Sequence, residues 1–287
     1  MNISVDLPAA RRRFPALCVP RAPDTNKGSY GTLGIVGGTD GMSGAVVLAA
    51  MAALKSGCGK VRVGFHQSIL PLPWLPEAPE VMLHTAPELI RQPAIDAWVI
   101  GCGLGTDAAA VALVQDLLQT EHHTDVPVLL DADALNIVAQ HHMRLPEKRT
   151  LILTPHPGEA ARLLDGTIGD VQAQRETAAV TLAQRYDAWV VLKGHRSIIA
   201  APNGEVQIND SGNPALATAG SGDVLSGMIG SLLAQGVPVA QAVGGGVWLH
   251  GAAADVLAEQ GMAVGLCASE LANAVRKIRN DLIRGNC

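Results

Sequence analysis

Short apolar runs alternate with stretches of helical periodicity along most of the chain. Residues 31–38 are an apolar run that ends in glycines, and they predict a buried strand. A helix of small residues follows over 45–55, then a strand over 61–65. Strand, glycine turn, helix and strand make the βαβ pattern of an α/β fold. Further strands are predicted at 80–84, 97–101, 126–130, 150–153 and 189–193. The runs 198–201 and 205–208, joined by Pro202-Asn-Gly204, predict an antiparallel ribbon at the sheet's edge. Apolar residues at helical spacing predict helices at 107–119, 171–187, 222–234, 239–259 and 268–283. Residues 67–79 are proline-laden and read as loop. Residues 1–28 are polar and proline-bearing, and read as an irregular arm with a solvated Arg11-Arg-Arg13 triplet. No repeat, low-complexity tract or linker divides the chain, so a single domain over 1–287 is expected.

The stretch 209–223 stands apart. It is rich in Gly, Asn, Ser and Pro and predicts a loop feeding a helix, whose apolar face is Val224, Leu225, Met228, Ile229, Leu232 and Leu233. A helix N-terminus has unpaired N–H groups and the positive end of the dipole, so it attracts phosphate. Gly220 and Gly222 let backbone approach an anion closely. Asp223 suits the first helical turn but is repelled by a bound phosphate, which points to a base that takes a proton from a hydroxyl. The plainer alternative makes Ser221 an N-cap and Asp223 a dipole partner.

Other candidates sit at strand ends, the edge where open α/β sheets bind ligands. Asp131 and Asp133 can hold a metal, orient a partner or cap the next helix. His156 lies between two prolines and is either a turn residue or a substrate contact; Glu159 is within reach of a hydrated Mg²⁺. Lys193 and Ser197 face a nucleotide's phosphate or belong to an ordinary edge turn. His250, among Gly and Ala on a helix, reads as a packed, hydrogen-bonded histidine.

Composition narrows the classes. Apolar residues make up 48% and charged residues 16%, which suits a large core. A net charge of −5 and only two Phe and two Tyr argue against nucleic-acid binding. The five cysteines, Cys18, Cys58, Cys102, Cys267 and Cys287, are scattered and odd in number, which points to a reducing compartment. No signal-like or membrane-spanning run is present, so a soluble cytoplasmic protein is expected.

Taken in order, Gly41-Met-Ser-Gly-Ala45, Gly101-Cys-Gly-Leu-Gly105, Asp131-Ala-Asp-Ala-Leu135, Thr154-Pro-His-Pro-Gly-Glu159, Val191-Leu-Lys-Gly194 and Gly212-Asn-Pro…Ala219-Gly-Ser-Gly-Asp223 resemble the NAD(P)H-hydrate dehydratases. These are nucleotide-dependent repair enzymes of the ribokinase-like superfamily. The segment His250-Gly-Ala-Ala-Ala-Asp255 is also similar. The resemblance implies a central, mostly parallel sheet with helices on both faces and an antiparallel edge. It implies that hydrated NADH or NADPH (NADHX, NADPHX) is restored at the expense of ADP or ATP, with Mg²⁺. By position, Ala45, Gly105, His156 and Asp223 match contacts to the hydrate; Lys193, Gly194, His195, Arg196, Ser197 and Gly222 match contacts to the nucleotide. In that setting Asp223 deprotonates the hydroxyl, and the N–H groups of Ala219, Gly220, Ser221 and Gly222 form an anion hole.

The chain departs from the family at Cys102, where Pro is commoner, at Ala215-Leu216, where Gly-Met is commoner, and at His195 and Arg196, where smaller residues are common. The arm before residue 30 is too short for the epimerase domain many members carry. The S epimer alone is therefore the expected substrate, with a separate epimerase as functional partner. A homotetramer is expected by resemblance. Two other readings fit the anion loop: a ribokinase-like kinase of a vitamin precursor (hydroxymethylpyrimidine or thiazole alcohol), and a non-catalytic nucleotide-binding protein. The latter has no need of Asp223.

Overall fold

The computed structural model describes residues 5–119, 125–147 and 149–285; Cys287 lies outside the described residues. The strands are β1 (Thr32–Gly37), β2 (Lys60–Phe65), β3 (Met82–Thr85), β4 (Ala97–Ile100), β5 (Val128–Leu130), β6 (Leu151–Leu153), β7 (Trp189–Leu192), β8 (Ile198–Ala200) and β9 (Val206–Ile208). They form one sheet in the order β3-β2-β1-β4-β5-β6-β7-β8-β9. Pairing is parallel from β3 to β7 and antiparallel at β7–β8 and β8–β9. The mostly parallel sheet with an antiparallel edge is therefore found.

Side chains alternate between the two faces of a strand, and both faces here are apolar. Leu33, Ile35, Ala97 and Val99 point to one cluster; Val36, Trp98 and Ile100 point to the other. The first is covered by α2 (Ser43–Lys55), α9 (Ser221–Ala234), α10 (Val239–Glu259) and α11 (Ala268–Arg284). The second is covered by α3 (Ala86–Ile90), α4 (Ala108–Gln119), α5 (Asp133–Gln140), α6 (Pro157–Leu163) and α8 (Arg175–Tyr186).

Three expectations change. The arm is not irregular: α1 (Leu7–Arg13) starts at Asp6, whose side chain accepts from Ala9 N–H, and a 3₁₀ turn spans Pro15–Cys18. Ala10, Phe14, Leu17 and Cys18 are buried, and Phe14 packs on Trp248 at 6.0 Å between ring centroids. Arg11 is not simply solvated, since it donates to the Leu282 and Asp281 carbonyls at 3.0 and 2.8 Å, at the C-terminus of α11. The helix expected at 171–187 is two, α7 (Ile168–Ala173) and α8, broken at Gln174 with φ −138 and ψ 57. A capping box at Thr167 and Asp170 starts α7 earlier than the apolar pattern does. The third change is α3, a helix the apolar pattern misses because it is five residues long.

The closest helix pairing is α2 on α9. A Cβ on Gly227 would lie 2.0 Å from the Ala49 carbonyl oxygen, so only glycine lets the two backbones touch. That contact fixes α9, and hence Asp223, against α2. Replacing Gly227 by Ala should lower stability by about 2 kcal/mol. The midpoint of urea unfolding checks this; an unchanged midpoint would mean the helices part without cost.

Candidate active site

The carboxyl ends of β1, β4, β5, β6 and β7 converge with the N-terminus of α9. The loops after β1 and β4 are laced together: Gly38 N–H donates to Cys102 O at 3.0 Å and Thr39 N–H to Gly103 O at 2.7 Å. Gly105 N–H donates to Asp133 at 2.8 Å, which ties the same loop to α5. Ala132, between the two aspartates, is held at φ 47 and ψ −115, a strained conformation for a residue with a side chain. Neither aspartate caps α5.

Asp131 is 1% exposed. Its Oδ1 lies 2.7 Å from Lys193 Nζ, and its Oδ2 accepts from Ser226 Oγ at 2.7 Å. Burial raises its pKa, but Lys193, Ser226 and Thr154 outweigh burial and hold the carboxyl below the usual range. Burial lowers the Lys193 pKa; Asp131 and Glu159 raise it further than burial lowers it. Both groups are therefore charged. Glu159, 3.8 Å from Lys193, goes the other way: burial raises its pKa despite the lysine.

Gly220, at φ 86, turns the chain into α9 and stands at its N-cap. Ser221 is not the N-cap: its hydroxyl donates to Leu216 O at 2.9 Å, and no side chain caps the helix. The Lys193 ammonium lies 3.6 Å from where a Gly222 Cβ would be. An uncapped helix N-terminus and an ammonium thus meet at Gly222, an arrangement that binds an anion.

Asp223 projects from the first turn of α9. Burial, Asp131 and Asp133 push its pKa up, while a hydrogen bond from the Cys102 thiol and the charge of Lys193 pull it down; the balance is about 6. It is ionised near neutrality and still basic enough to take a proton.

Beside Lys193 and Gly222 lies a cavity of about 590 Å³. It is lined by the turn Gly194 to Ser197, by the loop residues Gly212, Asn213 and Leu216, and by Ser221, Leu225, Val247, His250 and Gly251 of α9 and α10. Asp255 holds the 209–217 loop by accepting from Gly212 N–H at 2.8 Å and Asn213 Nδ2 at 2.9 Å.

A model of the NAD(P)H-hydrate dehydratase family matches residues 33–277. The chain belongs to this family. It is 54% identical over 276 residues to the ADP-dependent (S)-NAD(P)H-hydrate dehydratase of Neisseria meningitidis serogroup B, covering 95% of this chain and 93% of that protein. It is 41% identical over 266 residues to the bifunctional NAD(P)H-hydrate repair enzyme Nnr of Escherichia coli, covering 91% of this chain but 50% of that protein. The ADP/ATP-dependent NAD(P)H-hydrate dehydratase of Bacillus subtilis, co-crystallised with ATP and Mg²⁺, superposes with a TM-score of 0.85 at 32% identity, over 98% and 99% of the two chains. These matches favour the dehydratase reading over a vitamin-precursor kinase.

The residues read from the sequence fall in two groups around Asp223. Gly105 lies on the laced loop after β4 and Ala45 in the first turn of α2 beside it: a Gly103 Cβ would be 3.1 Å from Ala45, and a Gly105 Cβ 3.7 Å from Thr39. Lys193 to Ser197, with Gly222, lie at the cavity, and Ala219, Gly220 and Ser221 lead into α9. His156 stands between the groups, and its structural and site roles coexist. Its Nδ1 accepts from Gly158 N–H at 2.9 Å as the N-cap of α6, while the ring is half-exposed toward the cavity. Burial, Lys193 and Arg162 lower its pKa, so it is a neutral ring there. Glu159 completes that cap by accepting from His156 N–H at 2.7 Å. Among the described residues, no three His, Cys, Asp or Glu side chains cluster to hold a metal ion.

Three contributors escape a reading of the sequence. Arg175 donates to the carbonyls of His195, Leu192 and Lys193, bracing the turn from behind. Ser226 and Thr154 support Asp131. Arg175 and Ser226 lie in no recognisable motif, and Thr154, which opens the 154–159 segment, had no role read for it; the one available signal was the position of Ser226, three residues past Asp223 on α9.

The Cys102 thiol sits fully buried against Asp223. Cys102→Ala removes the hydrogen bond that lowers the carboxylate's pKa, so the acidic limb of kcat/KM should move to higher pH, while Cys102→Ser should keep it at or below the wild-type position. Rates measured from pH 5 to 8 on the order of half a unit apart check this.

Proposed function

We propose that the protein is a nucleotide-dependent dehydratase that returns the S epimer of hydrated NADH or NADPH to the intact cofactor, using ADP and releasing AMP and phosphate. One observation carries the division of labour: Asp223, with a pKa near 6, stands at an uncapped helix N-terminus that Lys193 also faces.

In this reading Asp223 takes the proton of the ring hydroxyl as its oxygen attacks the terminal phosphoryl group. The bond from that phosphorus to the bridging oxygen breaks and AMP leaves. The phosphorylated hydroxyl is now a good leaving group. The carbon–oxygen bond breaks with its electrons going to phosphate, the adjacent ring carbon gives its proton to water, and the electrons of that C–H bond form the double bond that restores the dihydropyridine. Backbone N–H groups at Ala219, Gly220, Ser221 and Gly222 stabilise charge on the transferring phosphoryl. Lys193, fixed by Asp131, steers the phosphates. The turn Gly194 to Ser197 flanks the nucleotide; Ala45, Gly105 and His156 receive the hydrate.

Mg²⁺ fits this site as a nucleotide-borne ion. It prefers phosphates and water with one or two carboxylates, and needs no protein cage. Glu159, 4% exposed and 3.8 Å from Lys193, is the carboxylate at this edge that would hold the ion through water. When bound, the ion neutralises phosphate charge.

A single dehydratase domain over 1–287 agrees with the family match over 33–277. Among the described residues, no helix is long and apolar enough to cross a membrane, which is compatible with a cytoplasmic enzyme. The chain spans half of the bifunctional E. coli relative, and a separate epimerase supplies the S epimer in this proposal. A homotetramer is inferred by resemblance.

Absorbance at 340 nm tests the activity: hydrated NADH with Mg²⁺ should regain the NADH band with ADP present and not without a nucleotide. Asp223→Asn should lower kcat by roughly a thousandfold with ADP affinity kept; full activity in this variant would remove Asp223 from the chemistry. His156→Ala should raise KM for the hydrate several-fold, read from the same assay at saturating ADP, and an unchanged KM would return His156 to a purely capping role.

A further inference from the structure

Phosphoryl transfer engages Asp131, Glu159 and Asp223 and leaves Asp133 without a task. Asp133 opens α5, yet its side chain caps no N–H of that helix. Among the described residues no Lys, Arg or His pairs with it. Its bonds go to the loop after β4 instead. Its backbone N–H donates to Gly101 O at 3.3 Å, and its Oδ2 accepts from Gly105 N–H at 2.8 Å. One residue thus grips loop 101–105 at both ends. Its Oδ1 accepts from Asn136 Nδ2 at 3.4 Å, and Asn136 accepts from Arg162 of α6 at 2.8 Å, which anchors the carboxylate to α6 as well. The bend at Ala132, with φ 47, makes this reach possible. It sends Asp131 to Lys193 on the nucleotide side and Asp133 to Gly105 on the hydrate side. Strain of that kind persists where the surroundings over-determine it, and it clusters at functional sites. Gly101 closes the join, since a Cβ there would lie 1.8 Å from the Asp131 carbonyl oxygen.

We propose that Asp133 is a positioning residue for the hydrate, its carboxylate holding Gly105 where the substrate meets it. This inference rests on Gly105 receiving the hydrate. The same loop carries Cys102, whose thiol is hydrogen-bonded to Asp223, so the grip also sets one neighbour of the base. The charge of Asp133 acts on the base as well. Asp223 faces Cys102 after β4, Asp131 and Asp133 after β5, and Lys193 after β7; the two aspartates raise its pKa, and the thiol and the ammonium lower it.

Two variants separate the grip from the charge. Asp133→Asn keeps an oxygen for Gly105 N–H and removes the charge. Its KM for the hydrate should match wild type, and the acidic limb of kcat/KM should move to lower pH by about half a unit, because Asp223 loses a like-charged neighbour. Asp133→Ala removes both. It should move the limb the same way and raise KM for the hydrate about tenfold, with KM for ADP unchanged. In ¹⁵N-labelled wild-type protein the Gly105 amide resonance should shift when hydrated NADH is added without nucleotide. In Asp133→Asn it should lie upfield of its wild-type position, as a charge-assisted bond becomes a neutral one. These measurements stand even where Asp133→Ala does not fold. A Gly105 resonance indifferent to hydrated NADH overturns the hydrate reading of that loop along with the proposal. A responsive Gly105 with an unchanged KM in Asp133→Ala, or an unmoved limb in both variants, overturns the inference alone, as does a rise in both KM values with the limb in place.

Discussion

The site depends on one buried ion pair. Lys193 and Asp131 meet at 2.7 Å across the width of β6, with Asp131 almost wholly removed from solvent. Desolvating both charges is costly, and the pair persists because Ser226, the Ala132 N–H and Thr154 satisfy the remaining carboxylate valences. Removing either partner leaves the other as an uncompensated buried charge. The pair fixes a positive ammonium at Gly222 and a negative carboxylate behind it. Everything nearby titrates in that field. Glu159 and Asp223 are both raised by burial and by Asp131, and both are pulled back by Lys193.

The backbone supplies the rest of the anion site without charge. Gly220 bends the chain so that the first turn of α9 is free of a side-chain cap, and Gly227 seats the same helix on α2. The two glycines act at different levels. One shapes the opening of the helix; the other removes its freedom to shift. Donors held rigidly before the substrate arrives need no reorganisation during phosphoryl transfer.

Most of the fold was legible because both faces of the sheet are apolar and β1, β4 and β5 run directly into glycine or aspartate. The ordered motifs carried the family. The pairing of Asp131 with Lys193 was not legible: the residues are 62 positions apart, and only the strand order β5-β6-β7 brings them together. The plainer alternative, Ser221 as a cap, fails because Gly220 takes that position and the hydroxyl turns back to Leu216. His250 was read as packed and hydrogen-bonded; it is buried with a hydrogen bond to the Ser221 backbone, but its Nε2 has no partner among the described residues. The arm was misread because its apolar residues are few and separated by arginines, and their partners lie on α10 and α11.

The seating of the arm has a consequence for how the chain assembles. Arg11 binds the carbonyls of Asp281 and Leu282, contacts that span 270 and 271 positions of sequence. Phe14 meets Trp248 on the helix before. During synthesis α1 emerges well before α10 and α11, so its apolar side chains have no place to bury until those helices are made. Contacts of such sequence separation form late and slow folding. The α1 segment is thus a closing latch, and the parallel sheet must be complete before it engages.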